Sequence, residues 1–235
     1  MRGCLVTIAL LLAIALAATW YVLPPLAGTL TQGALSAAGF DADTTTVTVT
    51  ADPPPKLLTL TADSVRIQAT NVTYHGMRAT SADVTLAEVS FAARTFQSLD
   101  GTLKGVRIQP GGGSELGVPL VRLSGPADRI QATMSIPAAD AEALAGAAVE
   151  TVIGITPERV SLVDPDRVRV EVGGLAVSAR LALRQDGALL LVAPNGNPIG
   201  SVALVVPGPD VPFRIDSFEI VDGGLEIVAV VANPG

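Results

Sequence analysis

Pro137–Ile155, reading PAADAEALAGAAVETVIGI, is the one stretch after the N-terminal run with a clear amphipathic helical pattern, and β-type segments lie on both sides of it. Pro137 suits a helix's first turn, where the missing N–H costs nothing, and Asp140 and Glu142 stand near the positive end of the helix dipole. Ala141, Leu144, Ala145, Ala148, Val149, Val152 and Ile153 recur at spacings of three and four and make a single apolar stripe. Gly154 is placed to end the helix. At roughly 1.5 Å per residue the helix spans about 27 Å, a length comparable with a lipid acyl chain. Much of the stripe is alanine, so a sheet can approach closely or leave room beside it.

On the N-terminal side the period changes to two. Val47 and Val49 alternate with threonines, and Asp52-Pro53-Pro54-Pro55 reads as a rigid extended spacer. Longer alternating segments follow, with inward sets Val65, Ile67, Ala69, then Val72 and Tyr74; Val84, Leu86, then Val89 and Phe91; and Leu103, then Val106 and Ile108. In each the phase slips by one, which predicts β-bulges and a strongly curved sheet. Leu120–Leu123 and Asp128–Ile136 complete this half.

Beyond the helix, Val160–Val163 and Arg167–Val172 resume the sheet across the turn Asp164-Pro165-Asp166. Gly173-Gly174 and Asp186-Gly187 read as hairpin turns around Leu175–Leu183. The proline-rich stretch 193–212 carries one short strand, Val202–Val206, and Phe213–Val221 and Leu225–Val231 close the chain as a hairpin about Asp222-Gly223-Gly224. A lone helix set against this much antiparallel strand predicts an α+β fold in which a long, curved sheet wraps one main helix.

The N-terminus carries a separate signal. Leu5–Leu23, LVTIALLLAIALAATWYVL, is nineteen uncharged residues after Arg2, long enough to cross a bilayer, with Trp20 and Tyr21 at its outer end. This predicts a transmembrane anchor over residues 1–25 and a single extracytoplasmic domain over residues 26–235. The alternative is a secretory signal, cleaved at Ala13-Ile14-Ala15 or Ala15-Leu16-Ala17. After Pro24-Pro25, Leu26–Ala38 has helical spacing and ends at Gly39; a flexible stalk is the other reading of it.

Composition narrows the functions. A net charge of −7 with only Lys56 and Lys104 as lysines argues against nucleic acid. One cysteine, Cys4, excludes a disulfide framework within the chain. The single histidine, His75, lies in a strand-end turn and no G-x-S-x-G elbow accompanies it, so enzyme chemistry is poorly supported and no catalytic residue, metal site or cofactor is expected. Asp140 and Glu142 are explained by the helix dipole, and Asp164, Asp166 and Asp210 by their proline turns. PGGGS at 110–114 lacks the lysine and following helix of a phosphate loop. Asn71-Val72-Thr73 is a glycosylation sequon by letter only. Arg66, Arg107, Arg129, Arg167, Arg169 and Arg180 alternate with apolar residues and should face solvent, where one or two near an opening could hold a lipid phosphate.

The segments SADVTLAEVSF (81–91), GTLKGVRI (101–108) and DRIQATMSIPAADAEALA (128–145) resemble the LmeA-like phospholipid-binding family. So do 157–194, PERVSLVDPDRVRVEVGGLAVSARLALRQDGALLLVAP, and 215–234, IDSFEIVDGGLEIVAVVANP. That family is similar to the tubular lipid-binding (TULIP) superfamily, in which a curved sheet wraps a helix around an apolar groove. The resemblance implies a membrane-anchored lipid-binding or lipid-transfer protein of the cell envelope, with phospholipid or glycolipid as partner. It also allows an accessory role in envelope glycolipid synthesis. The helix stripe Ala141, Leu144, Ala145, Ala148, Val149 and Val152 is then the candidate lipid wall. The alternative is a non-enzymatic structural or interaction protein of the envelope whose core is filled by its own side chains.

Overall fold

The structure, a computed structural model, describes residues 39–74, 76–108, 116–192, 202–205 and 213–231, with residues 29, 32, 33 and 36. The Leu5–Leu23 run and His75 lie outside them, so the transmembrane helix and its topology remain expectations. No helix among the described residues is long and apolar enough to cross a membrane. Within the expected second helix, Thr29, Gln32, Gly33 and Ser36 are helical, and the Gly39 N–H donates to the Ser36 carbonyl at a left-handed φ of 84°.

The chain is α+β and forms two antiparallel sheets. The long sheet holds β1 (Thr44–Thr50), β2 (Thr61–Tyr74), β3 (Met77–Ser90), β4 (Ser98–Ile108), β5 (Leu116–Pro126), β6 (Ile130–Ile136), β13 (Gly224–Val231) and β12 (Phe213–Val221), in that spatial order. The short sheet runs β11 (Val202–Val205), β10 (Leu189–Val192), β9 (Leu175–Leu183), β8 (Arg167–Val172), β7 (Arg159–Val163). Neither closes on itself. The final hairpin reaches back to pair β13 with β6, so the chain's last strands complete the sheet its first strands began.

Helix α1 (Ala138–Ile153) sits where the reading of Pro137–Ile155 placed it. Pro137 is its N-cap, Asp140 lies in its first turn, and Gly154 ends it at φ 68° with its N–H on the Glu150 carbonyl. Its partners differ from the expectation of one sheet wrapped around a helix. α1 packs chiefly on β7, β11 and β13, at the junction of two sheets. The period-two pattern shows which face of a strand is apolar but not which sheet the strand joins.

Two further readings need correction. Asp52–Pro55 is not an extended spacer: Pro54–Thr59 forms a 3-10 turn with proline in its first positions, and Pro53, its N-cap, keeps an extended backbone. Proline's fixed φ serves a helix's start as readily as an extended chain, so the prolines alone do not separate the two. The phase slips in β2, β3 and β4 are real, since Val72, Val89 and Val106 are buried. They are not bulges, because the register between these strands never shifts. Instead the pairing skips Asn71 opposite Thr80, Gly105 opposite Pro119 and Asp63 opposite Glu88. Asn71, Glu88 and Gly105 have φ values of 49°, 48° and 58°. Each irregularity is matched on the neighbouring strand, so strands re-phase together and one face stays apolar along the sheet. Register shifts of the bulge type occur among the described residues at Leu189/Leu190 and Ile215/Ser217.

Candidate functional site

Cross-strand partners share a face, so register alone lays out the long sheet's two surfaces. One row runs Ala69, Ala82, Leu103, Val121, Met134, Ile227, Phe218. The next runs Val47, Ile67, Val84, Gly101, Leu123, Ala132, Ala229, Ile215. A third runs Val49, Val65, Leu86, Leu99, Gly125. Apart from Thr45, which pairs with Ala69 at the β1 edge, no polar side chain enters these rows. The reverse face carries Gln68, Asp83, Thr102, Arg122 and Thr133 in one row and Arg66, Thr85, Asp100, Ser124 and Gln131 in another. From β2 to β6 the sheet is apolar on one face and polar on the other; at β13 the reverse face turns apolar with Val228 and Val230.

The apolar face is not uniformly covered. At one end it joins the main core with α1 and the short sheet, through Val72, Ala79, Val106, Val118, Ala141, Ala145, Val168 and Leu189 among others. At the other end a smaller core forms beneath the 3-10 turn from Val49, Ala51, Leu57, Ala62, Val65, Ile67 and Val89. Between them lies a strip of half-covered apolar surface, hereafter the trough. Val84 and Leu99 belong to neither core; Leu103 and Leu123 flank the first and Leu86 the second, and all five are only half-buried. The middle row is shallow there because Gly101 contributes no side chain. Gly101 is fixed there by contact: a Cβ would come within 2.7 Å of the Asp83 carbonyl oxygen and 2.9 Å of Val84.

Many of the exposed charges pair with one another. Arg66 donates two hydrogen bonds to Asp83 (2.9 and 2.6 Å) and Gln68 a third at 3.1 Å, and the guanidinium holds the Asp83 carboxyl below its usual range. Asp63 is lowered by Lys56 (2.8 Å) and by the Asp52 N–H. Arg184 draws Asp186 down to about 2. Arg180 forks onto Asp166. The six arginines expected at the surface are all exposed, but Arg66, Arg129 and Arg180 pair with aspartates and Arg169 with Glu171. Asn71 donates to Asp43 at 2.7 Å, and its left-handed φ is one that asparagine tolerates, which explains this residue without glycosylation. No group of three or more acids, cysteines or histidines is placed to hold a metal ion among the described residues.

The helix stripe is largely covered by the chain itself. Ala141, Ala145 and Ala148 are buried, with Ala141 and Ala145 in the main core. Leu144 and Val149 are half-buried against that core, and the side chain of Val152 lies outside the described residues. Glu142 is partly buried and Asp140 exposed. Sequence reasoning named Val84, Leu86 and Leu103 as inward-facing but did not assign them to a site, and it missed Leu99, Gly101 and Leu123. The alternation Leu99-Asp100-Gly101-Thr102-Leu103 was available as a signal; its glycine hides the period.

The sequence model of one family, LmeA-like phospholipid-binding, matches residues 16–230, most of the chain. The chain belongs to the LmeA-like phospholipid-binding family. Membership makes lipid the ligand class, and the family is defined by binding rather than by a reaction. No curated protein and no solved structure matches the sequence. Within this LmeA-like chain, the long sheet's half-covered apolar face is the surface whose chemistry fits such a ligand.

Proposed function

We propose that the protein is a membrane-anchored, extracytoplasmic lipid carrier that holds phospholipid acyl chains in the trough between the two cores. The observation that supports this most is the row Val84, Gly101, Leu123, continuing from the buried Ile67: unbroken apolar surface, half-covered beyond Ile67, in a chain of a phospholipid-binding family. The acyl chain lies against Val84, Leu86, Leu99 and Leu123 and points toward Leu144 and Val149 of α1, while Ala141, Ala145 and Ala148 seat the helix. Magnitudes favour recognition by the chain over the headgroup. Covering roughly ten methylenes at about 0.8 kcal/mol each far exceeds one charge-assisted hydrogen bond of about 1.5–3 kcal/mol. The uncharged run Leu5–Leu23 supports the anchor and the outward orientation, and a role in supplying lipid to envelope glycolipid synthesis follows from a carrier held at that membrane.

The test is photocrosslinking of the full chain, in membranes, with a phospholipid carrying a diazirine near the end of one acyl chain. Adducts on peptides of β3, β4 and β5 are expected. Adducts confined to residues 5–23 would place lipid at the anchor only and favour the filled-core envelope protein.

A further inference from the structure

The long sheet ends, at the smaller core, in two loops joined by a hydrogen bond from the Phe91 N–H to the Leu60 carbonyl at 2.8 Å. Leu57 points inward and is buried. Its neighbours Leu58 and Leu60 are 63% and 53% exposed, among the most exposed large apolar residues of the chain. Leu60 also holds a left-handed backbone, φ 57° and ψ 37°, which a glycine would adopt freely and a leucine does not. A leucine kept exposed in a disfavoured conformation gains little inside the protein, which points to a role outside it. The cations on these loops are Lys56, tied to Asp63, and Arg94, also at positive φ; Asp63, Glu88 and Asp52 lie around Lys56. The tip therefore has no positive excess, and attraction to anionic surfaces does not account for it.

We propose that this tip is a membrane-docking edge, inserting Leu58 and Leu60 into the interface of a zwitterionic phospholipid bilayer. Its continuity with the interior supports that occupant. Phe91 and Phe96 pack on the smaller core just inside the tip, and Val65 and Leu86 of that region lead directly to the trough. A lipid leaving a bilayer at the tip would thus stay on apolar surface. The inference rests on the lipid-carrier reading for its purpose but not for its test.

In a Cys4→Ser background, an environment-sensitive fluorophore is attached to Leu58→Cys, to Leu60→Cys and, as control, to Val221→Cys, which is exposed on the final hairpin. Phosphatidylcholine vesicles should blue-shift the first two probes, nitroxide lipids should quench them, and the control should stay in water. The shift should persist at high salt, since apolar transfer is not screened. Probes at 58 and 60 that behave like the one at 221 overturn the docking edge. So does a shift requiring anionic lipid and lost in salt, or one that rises with protein concentration without vesicles, which assigns the patch to a second copy. Leu58→Asp with Leu60→Asp should slow phospholipid transfer between vesicles on the order of tenfold while acyl crosslinking to β3–β5 is retained. Absent crosslinking with positive tip probes would remove the carrier reading and leave the docking edge standing.

Discussion

Gly187 shows how one residue decides the joining of the two sheets. Its φ is 83°, and a Cβ there would come within 2.5 Å of the Arg214 side chain and 2.9 Å of the Ile215 backbone nitrogen. Gly187 is the point where the β9–β10 turn lies against β12. Gly187→Ala should therefore destabilise the protein by about 2 kcal/mol or more, strain and clash acting together, measured as a lowered urea midpoint. Gly154 offers a contrast, since nothing lies within 4 Å of its added Cβ. Gly154→Ala should cost only about 1–2 kcal/mol, from the left-handed backbone alone. Both glycines were legible as turn residues in DG and at the helix end. Only the structure separates them, because the clash at Gly187 comes from a residue far along the chain.

At the scale of elements, the contrast is between the helix stripe and the trough. Ala145 is buried between α1 and its partners, so Ala145→Trp should overpack and cost on the order of 1–3 kcal/mol or more. Val84 is half-buried and open on one side, so Val84→Trp should leave the thermal midpoint nearly unchanged while sharply reducing acyl-chain crosslinking. Equal losses of binding and stability in both variants would argue against the trough as the lipid surface. The strands of both halves were readable from alternation to within a few residues, from β1 through β13. The re-phasing at Asn71, Glu88 and Gly105 was visible too, but its form was not. An inserted residue and a matched skip produce the same sequence pattern, and only the partner strand distinguishes them.

Across the whole molecule, charge and pH act through the exposed face. Asp63, Asp83 and Asp186 all titrate below their ordinary value, held there by Lys56, Arg66 and Arg184 respectively. A carboxylate with a lowered folded-state value stabilises above its unfolded value of about 3.9 and loses that contribution as pH falls through the folded one. The melting temperature should thus be insensitive to these groups from pH 5 to 8 and decline below about pH 4. The decline should be gentle, because all three pairs are solvent-exposed. Arg66→Gln, followed by thermal denaturation between pH 2 and 7, should lower the melting temperature slightly above pH 4 and make the decline below it shallower, because the Asp83 carboxyl loses the partner that holds it down.

By itself the sequence determined the α+β class, the helix and its two ends, the strands, the apolar face of each strand and the phospholipid-binding family, since periodicity and capping are local properties of the chain. What the tertiary structure decided was the division into two sheets, the seat of α1 at their junction and the trough between two cores. Those depend on which strands pair and where coverage stops, and a strand's alternation is the same whether a helix, another sheet or a lipid covers it.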